Sequence, residues 1–264
     1  MDRPDLDVAA LRDALGTRWN RVDVVGEVAS TNSELLAAGD TAPDRTLLAA
    51  EYQRAGRGRF DRVWSSPRGA GITASFGFRP RAPLAAYGWV PLLAGLAVAE
   101  AVGEVAGADA MLKWPNDVLL GDLKLAGILA QSAAGAVVVG IGCNVSTTAD
   151  ELPPGVPATS LALAGADVDR TALLVGIATR LDARVAQWDD CDGDAAACGL
   201  AAAYRERCAT LGRGVRVTLA DGSALEGEAH EVDDAGHLVV VAGGERHLVA
   251  AGDVEHLRDA AGNR

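Results

Sequence analysis

A chain of 264 residues, 49% hydrophobic and 23% charged, has the composition of an ordinary globular protein, long enough for one large core and a second small domain. Its formal net charge of −12 repels a phosphate backbone, so a nucleic-acid role would need a local basic patch, and only residues 54–68 come near to one. The start, with Asp2, Arg3, Asp5 and Asp7 ahead of any apolar run, is no secretory signal; Cys143, Cys191, Cys198 and Cys208 lack Cys-x-x-Cys spacing and a histidine in metal-ligand register, so a cytoplasmic protein with reduced thiols is expected.

In chain order, Leu6, Ala10, Leu11 and Leu15 have helical spacing over residues 6–15, and Thr31-Asn32-Ser33-Glu34 reads as a capping box opening a second helix that stops at Gly39. Strand-like runs follow at residues 46–52, 71–78, 110–114, 124–131 and 136–141. The most apolar stretch, residues 89–105, is interrupted by Glu100 and Glu104, which makes it a buried helix and not a membrane span. Strands with few helices between them predict an α+β fold, a mixed β-sheet flanked by helices. Residues 146–160, with Pro153, Pro154, Gly155 and Pro157, show no period, and an aperiodic segment of that length inside a compact domain is usually functional or mobile. Two amphipathic helices are expected over 171–188 and 195–211. After Gly212, short β runs at 215–219, 225–231, 237–241 and 246–249, separated by turn signals, predict a small β-barrel packed on the larger domain. The chain thus divides into residues 1–211 and 212–264. All four histidines fall in the second part, scattered over strands and turns as surface residues would be.

Of the 24 basic residues only two are lysines, Lys113 and Lys124, and they bracket one short segment. Lysine offers a compact ammonium that points one charge at one oxygen, which suits a phosphate or carboxylate pocket where arginine does not fit. Residues 51–59 alternate glycine with arginine after a strand. Glycine lets the backbone approach a ligand and the guanidinium forks recognise phosphate or carboxylate, although a solvated basic turn has the same composition. No Gly-x-x-x-x-Gly-Lys-Ser/Thr occurs, which excludes an ordinary P-loop; the Gly-x-Gly-x-x-Ala string at Gly69, Gly71 and Ala74 runs into a strand and not a helix, so it is no dinucleotide site. In Lys113-Trp114-Pro115-Asn116-Asp117 a proline fixes the exit from a strand and presents an amide and a carboxylate at its end.

Together, Ser30-Thr31-Asn32, Gln53 with the Gly-Arg loop, Lys113 to Asp117, Lys124-Leu125-Ala126-Gly127-Ile128-Leu129, Gly140-Ile141-Gly142-Cys143-Asn144-Val145 and Ala158-Thr159-Ser160-Leu161 stand in an order that resembles the biotin protein ligases. The resemblance is strong over about residues 30–161, and the barrel-like tail resembles that family's C-terminal domain. It implies a catalytic core like that of class II synthetases and biotin-lipoate ligases, followed by an SH3-like barrel. The implied activity joins biotin to ATP as biotinyl-5′-AMP and transfers the biotinyl group to a lysine of the biotin carboxyl carrier domain of an acyl-CoA or pyruvate carboxylase.

By that resemblance Ser30, Thr31, Asn32, Gln53, Arg57, Gly58 and Arg59 bind biotin, polar groups suiting a neutral ureido ring in an otherwise apolar slot. Lys124 is the active lysine, paired with the biotin carboxylate and the charge developing at the α-phosphate, with Lys113 reinforcing it and Mg²⁺ bridging the triphosphate; direct metal ligands are not assigned. Arg57, Trp64, Asn116 and Asn144 fall on the nucleotide side, Arg59 counts among the catalytic group, and Asp117 orients the acceptor lysine or the metal. Two departures stand out. Only 29 residues precede Ser30, too few for the winged-helix DNA-binding region of longer members, so no DNA partner is expected, nor a membrane, while a homodimer stays open. Phe60 and Asp61 intervene before Arg62, which alters the loop. A lipoate ligase is the nearest enzymatic rival, with Gln53 and Ser-Thr-Asn favouring a ureido ring over a dithiolane; an RNA-binding module is opposed by the net charge.

Overall fold

The computed structural model describes residues 3–60, 62–133, 135–219 and 221–257. Asp61 of the Gly-Arg loop lies outside the described residues. The first sheet holds β1 (Arg21–Val25), β2 (Thr46–Ala50), β3 (Gly71–Phe78), β4 (Ala110–Lys113), β5 (Asp117–Leu120), β6 (Leu123–Ala133) and β7 (Ala136–Asn144), in the order β1-β2-β3-β7-β6-β5-β4. β1 and β2 are parallel and the other neighbours antiparallel, which is the mixed sheet expected from the sequence. β1 and β5 were not expected. β1 is an edge strand with only Val22 fully buried, and β5 is four residues long and starts directly behind Pro115-Asn116.

Side-chain alternation divides this sheet into a core face and a site face. Ile72, Ala74 and Phe76 of β3 and Val139, Ile141 and Cys143 of β7 join the hydrophobic core, which continues into α1 (Val8–Leu15), α3 (Val90–Ala106), α4 (Arg170–Asp190) and α5 (Leu200–Arg207). Trp19 closes one end of it, edge-on to Phe76 and Phe78 at 5.5 and 5.4 Å between ring centroids. By length and composition the segment Leu84–Ala106 could cross a membrane; in the fold α3 is buried, packed on α4 and against β4 and β6. On the other face, Ser75, Gly140 and Gly142 meet α2 (Thr31–Ala38) and the loops around it.

Two helix ends differ from the sequence expectation. Ser30, not Thr31, caps α2, its hydroxyl accepting from Ser33 N at 3.4 Å, so Thr31 and Asn32 become the first helical residues and their side chains are free to reach the sheet. Gly39 ends the helix as expected, at φ +50. α5 is shorter than the periodicity suggested: residues before Leu200 form turns, and the helix starts only after Gly199, whose φ of +77 favours glycine.

The second sheet is antiparallel, β8 (Gly214–Thr218), β9 (Ala224–Val232), β10 (Leu238–Ala242), β11 (Glu245–Val249) and β12 (Asp253–His256), in the order β11-β10-β9-β8-β12. β12 was not expected, because only Val254 of its four residues is fully buried. The turn between β9 and β10 accepts indole N–H groups from the part of the chain that carries the first sheet, Trp89 Nε1 to Asp234 O at 2.7 Å and Trp114 Nε1 to Gly236 O at 3.0 Å.

His256 at the end of β12 completes this junction and is no surface histidine. Its Nε2 lies 3.0 Å from Thr210 Oγ1, which in turn accepts from Trp114 N at 3.1 Å. Burial, with Lys113 and Arg213 adding to it, depresses its pKa to about 4. The unfolded chain therefore binds a proton between about pH 6.5 and 4 that the folded chain refuses, so this contribution to stability is present above pH 6.5 and is lost as the pH falls toward 4. Urea midpoints should fall over that range, and His256→Gln should flatten the fall; an unchanged slope in the variant would remove His256 from the account.

Candidate active site

A cleft opens on the site face of the first sheet, and every site residue expected from the sequence lines it except Lys113. Its neutral end is a chain of polar contacts. Gln53 Oε1 accepts from Thr31 N and Oγ1 at 2.7 and 3.0 Å, Ser75 Oγ lies 2.7 Å from Thr31 Oγ1 and 2.5 Å from Asn32 Oδ1, and Asn32 Nδ2 donates to Leu129 O and Gln131 Oε1 at 3.1 and 3.0 Å. Thr31, Asn32 and Ser75 are buried, so the network pre-sets donors and acceptors for a neutral polar ligand at no ordering cost.

The glycines of the sequence motifs make room for this. A Cβ on Gly140 would stand 2.3 Å from Asn32 Oδ1, and one on Gly142 would stand 2.2 Å from the Trp64 ring. Gly127 carries the same indole and the end of Lys124, each within 3.3 Å of where its Cβ would be. Trp64 therefore packs over backbone without side chains in the lining of the cleft, with Lys124 Nζ 5.9 Å from its ring centroid.

The other end is cationic. The Gly-Arg loop folds back on itself, Arg57 bridging to Val63 and Gly58 N donating to Arg62 O at 2.6 Å, with Phe60 at φ +53 in the turn. Arg57, Arg59 and Arg62 face the cleft. Arg59 is half-buried, stacked 4.9 Å from the Phe60 ring, and donates to Asn116 Oδ1 at 3.3 Å and Gly252 O at 3.1 Å; burial holds its pKa below the usual guanidinium value, against the pull of Asp253.

Lys124 Nζ stands 2.6 Å from Asp117 Oδ1, a charge contact whose angles do not make a hydrogen bond. Its backbone is clamped by the aperiodic loop, Lys124 N donating to Pro157 O at 2.8 Å and Lys124 O accepting from Thr159 N at 2.9 Å, while Pro153, Val156 and Ala158 of that loop wall the cleft. Lys113 sits across from Asp117 in the β4–β5 register, on the side of Asp253 and Glu255. Burial lowers its pKa, although both Asp117 and Asp253 favour its charge. The two ammonium groups thus flank Asp117, and Lys124 alone of the two faces the cleft.

The asparagine amides are partly spent on the frame: Asn116 Nδ2 donates to Ile128 O at 2.8 Å and Asn144 Nδ2 to Thr159 O at 2.9 Å. Sequence reasoning passed over Ser75, Gln131, Arg62 and Asp253, none of which stands in a motif that singles it out. It also passed over a buried ion pair behind the cleft, Arg170 Nη2 to Glu51 Oε2 at 2.8 Å. Among the described residues no group of three or more His, Cys, Asp or Glu could hold a metal ion, and the carboxylates facing the cleft are Asp117 and Asp253. Cys143 is buried, its thiol pushed up to about 12, and packs as an apolar side chain.

Two family models match the chain, the Biotin/lipoate A/B protein ligase family over residues 25–147 and the Biotin protein ligase C terminal domain over residues 210–257. The biotin–[acetyl-CoA-carboxylase] ligase of Mycobacterium tuberculosis is 44% identical over 266 residues, spanning 97% of this chain and 97% of the relative. The protein of the same name from Paracoccus denitrificans is 30% identical and spans 85% of this chain and 96% of the relative. Among solved structures, the biotin protein ligase from Aquifex aeolicus in complex with biotin and ATP matches with a TM-score of 0.77 at 26% identity, covering 91% of this chain and 100% of that one. These relatives are matched over nearly their whole length, and the chain belongs to the biotin protein ligase family.

Proposed function

We propose that this chain joins biotin to ATP, releasing pyrophosphate, and passes the biotinyl group from biotinyl-5′-AMP to one lysine of a carboxylase's biotin carboxyl carrier domain. The observation that carries this reading is the polarity of one cleft, neutral hydrogen-bonding groups at Thr31, Asn32 and Gln53 and a cationic end at Arg57, Arg59, Arg62 and Lys124. The complex of the Aquifex aeolicus relative with biotin and ATP supports it. Residues 1–211 would form the catalytic domain and 212–264 the small domain.

In the first step a biotin carboxylate oxygen attacks the α-phosphorus and the bond to pyrophosphate breaks. Lys124 is placed to meet the carboxylate and the charge growing on the α-phosphate oxygens. Mg²⁺ suits the triphosphate itself, since the cleft offers no cluster of ligands beyond two separate carboxylates. In the second step an amine nitrogen attacks the acyl carbon and AMP leaves. The attacking amine must lose its proton, and Asp117, 2.6 Å from Lys124, is the carboxylate at hand to orient it.

Biotin-dependent exchange of labelled pyrophosphate into ATP, with lipoate as control, tests the reading. Exchange driven equally by lipoate would overturn the choice of substrate, and salt-sensitive RNA binding without exchange would overturn the enzyme. Asp117→Asn should slow transfer to the carrier more than it slows exchange; equal rates to the unaltered protein in both half-reactions would take Asp117 out of the mechanism.

A further inference from the structure

The residues ahead of α1 form a strap tied to the buried ion pair. Pro4 O accepts from Arg170 Nη2 at 2.6 Å, Leu6 N donates to Glu51 Oε1 at 2.6 Å, and the Leu6 side chain is buried. Gly69 makes room for the strap: at its φ of +68 a Cβ would stand 3.1 Å from Arg3 Cβ. The glycine string that is no dinucleotide site thus has a use in the fold.

The strap places Arg3 on the aperiodic loop. Arg3 Nη1 donates to Glu151 Oε1 at 3.1 Å and Nη2 to Glu151 Oε2 at 2.6 Å, a two-pronged contact, and Nη2 also donates to Ser146 O at 3.0 Å. Glu151 in turn closes the turn before it, Oε2 accepting from Thr148 N at 2.9 Å and Glu151 N donating to Thr148 O at 3.1 Å. Arg3 first and Thr148 N second hold the Glu151 carboxyl down to about 2, so the pair is charged throughout the neutral range. Arg3 is only 12% exposed at its side chain and Glu151 27%, which sets the pair apart from open surface contacts.

The far end of the same loop is fixed to β6 through Pro157 O and Thr159 N on the Lys124 backbone. Between the two ties stand Pro153 and Val156, which line the cleft. We propose that Arg3 is a positioning residue, whose contact with Glu151 sets residues 146–156 as a wall of the cleft and so retains the acyl-adenylate until the amine arrives. The retention rests on the adenylation reading above; the setting of the wall does not.

Thermolysin, which cuts before leucine and valine, reads the wall in the full chain without ligands. Arg3→Met should speed cleavage before Leu152 and Val156 severalfold and leave cleavage elsewhere unchanged, and Glu151→Gln should do the same. In the absence of a carrier, either variant should release biotinyl-AMP about three- to tenfold faster, the worth of charge-assisted hydrogen bonds that water partly replaces, while the adenylate forms at its original rate with biotin and ATP saturating. The double variant should release it no faster than either single one, because both act through one contact. Cleavage that rose equally over the whole chain, or not at all, would overturn the setting of the wall. Release at the original rate would overturn retention, and effects that multiplied in the double variant would overturn the pairing as its cause. If the unaltered protein showed no biotin-dependent exchange, the adenylation reading would fail while the cleavage pattern still judged the wall.

Discussion

Lys124→Met is expected to lower biotin-dependent pyrophosphate exchange by about 10²–10³-fold, the usual cost of removing one preorganised group that meets transition-state charge. The side chain is held for this task. Asp117 fixes the ammonium at 2.6 Å, the Trp64 ring lies beneath it, and Gly127 lets its terminal carbon pass within 3.2 Å of the Cβ position. Methionine keeps the volume and loses the charge, so the fold should survive and the KM for biotin should change less than kcat. Lys124→Arg should not rescue the rate, because a planar fork does not fit the space between the indole and the β6 backbone. A Lys124→Met enzyme within tenfold of the original rate would show that the cleft does its work with the arginines alone.

Arg170→Met should cost about 3–5 kcal/mol of folding stability, the range found when one partner of a buried ion pair is removed. Arg170 and Glu51 are 7% and 2% exposed at their side chains, so the carboxylate left behind could not be rescued by water. The pair also ties the N-terminal segment to two stretches of chain that carry site residues. Arg170 donates to Gly71 O at 3.1 Å and Pro4 O at 2.6 Å, while Glu51 Oε1 accepts from Leu6 N at 2.6 Å, two residues before Gln53. Urea unfolding followed by tryptophan fluorescence measures the loss. A drop of less than about 1 kcal/mol would place this pair with exposed ones, whose median worth is that small. The double replacement Arg170→Met with Glu51→Gln should recover part of the loss, since no bare charge remains.

The parts of the site legible in the sequence were those whose chemistry is local. Glycines at 127, 140 and 142 and the Ser-Thr-Asn, Gln and Lys motifs announce themselves because a ligand cleft needs bare backbone and particular polar groups at fixed spacings. What escaped is what the chain brings together from far apart. Ser75 sits on β3 among apolar neighbours and looks like any strand serine until Thr31 and Asn32 arrive from α2. Asp253 lies on a strand too short and too polar for alternation to reveal. The capping box was misplaced by one residue because both Ser30 and Thr31 are good caps, and only the tertiary need for Thr31 against Gln53 decides between them. Lys113 and Lys124 share a scarcity in the sequence and not a place in the cleft.

The engagement of those two lysines carries a last consequence. A mixed anhydride of a carboxylic acid and a nucleotide modifies free amines wherever it drifts. On this chain every side-chain cation other than Lys113, Lys124 and the histidines is a guanidinium, which acyl groups rarely modify. One of the two amines is tied to a carboxylate and the other is half-buried, on a residue paired with Asp117 of β5. A protein whose side-chain amines are so few and so engaged should acquire little label from its own adenylate beyond the N-terminal amine.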